Sequence, residues 1–360
     1  MKRFAFALVL LALTVSTAWA APGRDTAAGE ARIGVLMRNV TEAFLADYVA
    51  HVNRMAAERG VTVNVQNAMN APDTQLTQLQ TLINQGFRYF IIIPVVSELS
   101  DQMNQMIHAV GGAAAYSNIA PTTSSLLIGP NFFYASSPEL VGGRYQGQLI
   151  ADFFDANPGR APGRNVNMLL ILGELGHPAQ VHRETGLMEG LRDRGYNVNI
   201  IARATANWSP DQANELMNAW IASFAGQFNV VAAQNDGMAL GAVQSMIHNG
   251  MVTPTPVAGI RLTVPVFGID ATAAAIASMR ANELYATVLQ DSAGQSRVAF
   301  DLMYQIATGT FQLGNVAGGI SPATTPITEA PVNDARIVRQ SYLVPFVPVD
   351  RDSEFYRNHP

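Results

Sequence analysis

An α/β fold of two similar, doubly wound parallel-sheet units is the class that the sequence predicts, on three observations. Short apolar runs alternate with amphipathic stretches of helical period through most of the chain. One run, Tyr89-Phe90-Ile91-Ile92-Ile93, is so apolar that both of its faces must be covered, as in a parallel sheet. Around 135–138 the alternation restarts and runs again, with no strong sequence repeat between the halves. With 360 residues, 49% of them hydrophobic and 14% charged, the chain is long enough for two well-buried domains.

The elements follow in order. Lys2 and Arg3, the apolar run 4–15 and the small-x-small triplet Ala18-Trp19-Ala20 read as a secretory signal peptide, 1–20, cleaved near Ala20. That run is too short for a comfortable membrane span, and no later stretch supplies one, so no stable membrane insertion is expected. Residues 21–31 read as a mobile leader. Strands are then expected at 32–37, 61–65, 89–93 and 113–117, alternating with helices at 41–59, 73–85 and 97–110, the first stopped by Gly60. The second unit offers helices at 139–156, 179–194, 210–224, 237–249 and 271–282, with strands at 167–172, 198–202, 229–233, 264–267 and 285–289. A helix at 292–308, a Gly/Pro/Thr-rich stretch at 309–331 and a strand-like run at 336–347 close the chain, and 158–163 and 252–263 read as surface loops.

Composition excludes several classes. Cysteine is absent, so stability comes from the core rather than from disulfides, and no cysteine is available for lipid attachment. Without Lys2 and Arg3 the cations fall from 22 to 20 against 27 acids, a formal charge of −7, and every remaining cation is arginine. An acidic chain without basic runs is a poor binder of nucleic acid, and no nucleic-acid partner is expected. The six histidines lack metal-ligand spacing, and there is no phosphate loop, nucleophile elbow or calcium-loop alternation. The expectation is a binding protein with no enzyme activity, no cofactor and no metal.

Chemistry-bearing residues gather at strand ends. Asn118, His177, Asn235 and Asp270 each stand just past an expected strand, and Trp208 just before an expected helix. In open α/β sheets that edge is where ligands bind. Each residue also has a purely structural reading. Asn235-Asp236-Gly237 is ordinary turn chemistry, with Asp236 as cap of the next helix. Pro178 suits a first helical turn, and Ser209 and Gln212 have capping-box spacing that Trp208 would merely staple. Asp270 serves equally as a cap. Taken together, planar hydrogen-bonding side chains and an aromatic face suit an uncharged ligand rich in hydroxyls.

Several motifs in order carry a family resemblance: Gly173-Glu174-Leu175-Gly176-His177-Pro178, Thr205-Ala206-Asn207-Trp208, Asn235-Asp236-Gly237-Met238, Val264-Pro265-Val266-Phe267-Gly268-Ile269-Asp270, Ala286-Thr287-Val288-Leu289-Gln290-Asp291 and Val344-Pro345-Phe346-Val347. The chain resembles the type I periplasmic sugar-binding family, within it the galactose/glucose-binding proteins of ABC transporters. The resemblance implies two lobes, 31–135 with 292–343 and 138–290 with 347–358, joined by a three-crossover hinge. It implies a monosaccharide in the interlobe cleft, stacked by Phe44 and Trp208 and hydrogen-bonded by Glu42, Asn118, His177, Arg183, Asn235, Asp270 and Gln290. An ABC permease, or a chemoreceptor, is the implied partner of a periplasmic monomer. Three positions depart from the family: Glu42 replaces Asp, Gln290 replaces Asn, and Ala179 replaces an acid. The lost carboxylate leaves a pentose, a deoxysugar or another polyol open beside galactose or glucose.

Overall fold

The structure is a computed structural model that describes residues 31–313, 316 and 334–359. The expected signal peptide, the leader up to residue 30 and most of the Gly/Pro/Thr-rich stretch lie outside the described residues. In chain order come β1 (Arg32–Met37), α1 (Ala43–Arg59), β2 (Thr62–Asn67), α2 (Pro72–Asn84), β3 (Tyr89–Ile93), α3 (Leu99–Ala109), β4 (Ala113–Tyr116), α4 (Thr123–Leu126) and β5 (Phe132–Ser136). Then follow α5 (Glu139–Ala156), β6 (Asn165–Leu172), α6 (Pro178–Asp193), β7 (Asn197–Thr205), α7 (Pro210–Phe224), β8 (Val230–Ala233) and α8 (Asp236–His248). The remainder is β9 (Val252–Val257), β10 (Ile260–Leu262), β11 (Val266–Phe267), α9 (Ala273–Arg280), β12 (Thr287–Leu289), α10 (Ser292–Thr308), α11 (Ala335–Arg339), β13 (Ser341–Leu343), β14 (Val347–Val349) and α12 (Glu354–Asn358).

Two parallel sheets organise these elements. The first has strand order β13-β5-β4-β3-β1-β2, the second β11-β8-β6-β7. Strand order reverses at β1/β3 in one and at β6/β8 in the other, and these switch points are where open α/β sheets open a crevice at the carboxyl edge. Apolar packing on both faces explains the unbroken apolar strands. On one face of the first sheet Ile33, Val35 and Ile91 pack with Phe44, Tyr48 and Phe300 of α1 and α10. On the other, Leu36, Phe90 and Ile92 pack with Leu79, Leu82 and Met103 of α2 and α3. In the second sheet Leu169, Ile171 and Val231 face α7, α8 and α9, while Met168, Leu170 and Val230 face α5 and α6. Gly60, at φ 64, ends α1 in the left-handed conformation and returns its N–H to the Ala56 carbonyl, as expected.

The chain passes between the sheets three times: from β5 to α5, from β12 to α10, and from β13 to β14. The last crossing corrects the expected strand over 336–347. Its β-branched residues suggest a strand, but Asp334 accepts the Arg336 N–H at 2.8 Å and caps a helix that buries Ile337. Only Ser341 to Leu343 then joins the first sheet, and Val347 to Val349 pairs antiparallel with β12. Strand β12 meets β11 and its following turn at two isolated bridges, Phe267 with Ala286 and Asp270 with Leu289. The expected loop at 252–263 is also corrected. It forms the antiparallel hairpin β9–β10, anchored by buried Ile260 and Leu262, whose period-2 pattern is hidden among prolines and threonines. Strand β5 is absent from the sequence reading; its five residues sit too close to the restart at 135–138 to stand out.

Candidate functional site

The carboxyl edges of the two sheets face one cavity of about 540 Å³, and its walls come from both. From the first sheet come Arg38, Glu42 and Phe44 after β1, Asn70 after β2 and Asn118 after β4. From the second come Glu174, His177 and Arg183 after β6, Asn207 and Trp208 after β7, Asn235 after β8 and Asp270 after β11, with Gln290 after the neighbouring β12. All nine residues singled out from the sequence line this cavity, and the fold brings them together from seven separate loops and helix starts.

Local backbone chemistry sets each side chain. Asn118 sits at φ 59, a left-handed conformation that asparagine tolerates, with its neighbour's Ile119 N–H turned onto the Ser117 carbonyl. Asn207 and Trp208, at φ 49 and 62, make a left-handed turn after β7 that carries the indole back over the strand ends. Gly173 is required beneath it, because a Cβ there would lie 2.1 Å from the indole carbons. The His177 ring meets the indole edge-on at 5.3 Å. Asp270 has φ 124 and Ala271 φ 55, a strained pair of the kind that the surrounding structure must hold in place.

The cap of α8 expected of Asp236 is supplied by Asn235. Asn235 caps α8, its Oδ1 accepting the Met238 N–H at 2.9 Å, while its amide nitrogen lies 3.5 Å from the Trp208 carbonyl. Asp236 is fully buried and accepts instead from the Thr272 N–H at 2.7 Å and the Thr287 hydroxyl at 2.6 Å. It therefore ties α8 to the turn after β11 and to β12. Burial pushes its carboxyl up to about 7, against the pull of those hydrogen bonds and of Arg183. Asp270 does not cap α9 either; Thr272 does, accepting the Ala275 N–H at 3.2 Å. Ser209 caps α7 as expected, but Gln212 accepts from Asn207 at 2.9 Å rather than closing a capping box.

Arg183 is the centre of the polar network. Helices α5 and α6 approach so closely that a Cβ on Gly143 would fall 2.1 Å from the Arg183 carbonyl, and one on Gly186 2.1 Å from the Leu140 carbonyl. This contact sets Arg183 beside Glu139 at the start of α5. Its Nε donates to Glu139 at 2.7 Å, one terminal nitrogen to the Gln234 carbonyl at 2.6 Å, and the other to Gln290 Oε1 at 2.9 Å. Gln290 in turn donates to Glu139 at 2.9 Å. A guanidinium has five N–H donors, so two remain for the cavity. Asp270 Oδ1 lies 3.7 Å away. Burial holds the Asp270 carboxyl well above the usual carboxylate range, opposed by Arg183 and reinforced by Asp236, Glu139 and Glu42. Burial lowers the affinity of Arg183 for its proton, but Glu139 and Asp270 more than restore it.

The cavity is rich in unpaired donors. His177 Nδ1 accepts the Ala179 N–H at 3.1 Å, so the proton of the neutral ring is on Nε2. Burial, with Arg38 and Arg183 nearby, keeps the ring neutral by holding its pKa well below the ordinary value. His177 Nε2, Trp208 Nε1 and Arg38 Nε are all buried and have no hydrogen-bond partner among the described residues. Such atoms are costly to leave unpaired, and three around one cavity point to a ligand with acceptor oxygens. Arg38, Asn70, Glu174 and Asn207 are missed by sequence reasoning. Arg38 had a findable signal: it is the first residue past β1, at the kind of strand edge where the chosen residues gather. Glu42, chosen as a ligand-binding acid, has its carboxylate bonded to Arg38. Among the described residues no group of three or more histidine, aspartate or glutamate side chains is placed to hold a metal ion, and no helix is long and apolar enough to cross a membrane.

Comparison with known proteins gives a consistent picture. The model of the periplasmic binding protein domain matches residues 33–310. A putative rhizopine-binding protein of Rhizobium meliloti is 30% identical over 86% of this chain and 92% of its own length. A D-galactose/methyl-galactoside binding periplasmic protein of Haemophilus influenzae is 26% identical over 91% of each chain. Among solved structures, an ABC transporter solute-binding protein of Bacillus halodurans with bound myo-inositol shares the fold at a TM-score of 0.69, with 23% identity over 89% of this chain and 95% of that one. The chain belongs to the periplasmic binding protein domain family, and its relatives are solute-binding proteins rather than enzymes.

Proposed function

We propose that the protein captures a monosaccharide or related polyol outside the cytoplasm, in a cleft between two lobes, and delivers it to an ABC transporter permease. The observation that carries this reading is the set of buried, unpaired N–H groups on His177, Trp208 and Arg38 around one cavity that also holds Asp270, Asn118, Asn235 and the aromatic residues Phe44 and Trp208. Ring oxygens and hydroxyls accept from such donors, hydroxyls donate to Asp270, and the C–H faces of a sugar lie on aromatic rings. The relatives bind galactosides and, by structure, myo-inositol, which supports a neutral polyol without choosing one. Ala179 leaves one wall without a carboxylate, so the ligand need not be galactose or glucose. The lobes we infer are 31–135 with 292–343 and 138–290 with 347–358, each built on one sheet; they close on the ligand, and the permease reads the closed form. The opening residues, with their charged start and apolar run, support export and cleavage near Ala20.

A thermal-shift screen over hexoses, pentoses, deoxysugars, cyclitols and nucleosides tests this reading, because a ligand that binds only the folded state raises the melting temperature. At least one polyol is expected to stabilise the protein, and Trp208→Ala or Asp270→Ala to abolish that shift while the variant remains folded by circular dichroism. No shift with any polyol, or calorimetric affinity unchanged in both variants, overturns it.

A further inference from the structure

We propose that Arg38 and Glu174 form a clasp across the cavity mouth, so that capture of an uncharged polyol is completed by an ion pair between protein groups. The inference rests on the polyol-binding reading and adds a determinant of affinity that the expected ligand set does not contain. Arg38 follows β1 and Glu174 follows β6, the two strands at the switch points of their sheets. Their side chains meet with a terminal nitrogen of Arg38 3.2 Å from Glu174 Oε2. The other terminal nitrogen is held by Glu42, four residues on and on the same side of the cleft. Arg38 is 2% exposed, whereas the Glu174 side chain is 53% exposed.

This asymmetry gives the pair a switching logic. When the two sheets separate, Arg38 keeps Glu42 and its charge stays neutralised, so opening leaves no bare buried cation. Glu174 loses its partner but is already open to water, so its release costs little. Closure therefore adds one cross-cleft ion pair to a cation oriented in advance by Glu42. The same closure buries Arg38 Nε, which is without a partner among the described residues, beside the cavity. The clasp and the ligand then reinforce each other. A neutral ligand binding without such a pair has no reason to respond to ionic strength; with the pair, salt screens the closed state selectively.

The test uses the purified protein and a neutral polyol from the thermal-shift screen. Raising the salt from low to about molar is expected to weaken wild-type affinity about two- to fivefold, the range of a partly exposed ion pair. Glu174→Gln should show that weaker affinity already at low salt, release ligand faster, and have lost the salt response. Equal affinity and equal salt response in wild type and Glu174→Gln overturn the clasp. A ligand-free measurement keeps this separate from the function itself. By small-angle scattering without ligand at low salt, Glu174→Lys, which sets two cations opposite each other, should be more open on average than wild type. Identical scattering overturns the clasp even where polyol binding stands, and a difference supports it even if no polyol binds.

Discussion

Asn235 shows how one side chain serves two ends. Its Oδ1 caps α8 through the Met238 N–H, and its amide nitrogen belongs to the cavity wall. Asparagine and aspartate are comparable caps, whereas loss of either to alanine costs about 0.5–2 kcal/mol. Asn235→Asp is therefore expected to hold its stability in denaturant titrations while losing sugar affinity, and Asn235→Ala to lose both. An aspartate variant that binds with wild-type affinity would remove the amide from the ligand set. Glu139 is the complementary case, since it does not line the cavity. It forms a buried ion pair with Arg183 at 2.7 Å. Glu139→Ala strips the buried guanidinium of its hydrogen-bonded carboxylate and is expected to destabilise the protein by about 3–5 kcal/mol, read as a drop in unfolding free energy.

Among the elements, the α5–α6 pair matters most to the site, because α6 carries His177 at its start and Arg183 about one and a half turns in. Gly143 and Gly147 on α5 face Gly186 and Gly190 on α6, and backbone approaches backbone. A methyl group at Gly143 would overlap the Arg183 carbonyl, which cannot move without its helix. Gly143→Ala is expected to cost about 1–3 kcal/mol from overpacking. It should also weaken ligand binding, because the helix that shifts is the one holding Arg183. Stability and affinity measured on the same variant check this, and a stable variant with unaltered affinity would uncouple the interface from the site. The glycine spacing was readable in the sequence, but its meaning was not. A glycine stripe on one helix says nothing until the partner helix is known.

Across the whole molecule, the buried acids make stability depend on pH. The folded Asp236 carboxyl titrates near 7, above its ordinary value, so the folded state holds the proton more tightly than the unfolded chain. Its contribution is complete below the unfolded value of about 4 and is lost as pH rises through about 7. His177 acts in the opposite sense: its depressed pKa costs stability as pH falls below the ordinary histidine value. Comparison with Asp236→Asn isolates the first effect. The stability of wild type relative to that variant is expected to rise as pH is lowered from about 7 towards 4, in denaturant titrations across that range. A difference independent of pH would mean that Asp236 remains ionised throughout.

Period and punctuation in the sequence determined the alternation of buried strands and amphipathic helices, because burial on two faces demands continuous apolar strands and burial on one demands a 3.6-residue stripe. Helix α10 and strand β3 are legible to the residue for that reason. The irregular pieces were not: β9 is interrupted by Pro254 and Pro256, β10 and α11 have too few residues for a period to declare itself, and only their neighbours select hairpin or helix. Residues at strand ends could be proposed as a set because strand ends are local, and the nine named ones do share a cavity. What only the tertiary structure decided is how their hydrogen-bonding capacity is divided. Glu42 is bonded to Arg38, Gln290 to Arg183 and Glu139, and Asp236 to Thr272 and Thr287, each through partners 4 to 151 residues away. A side chain's donors and acceptors are few, and which of them remain for a ligand depends on every group that packing brings within reach.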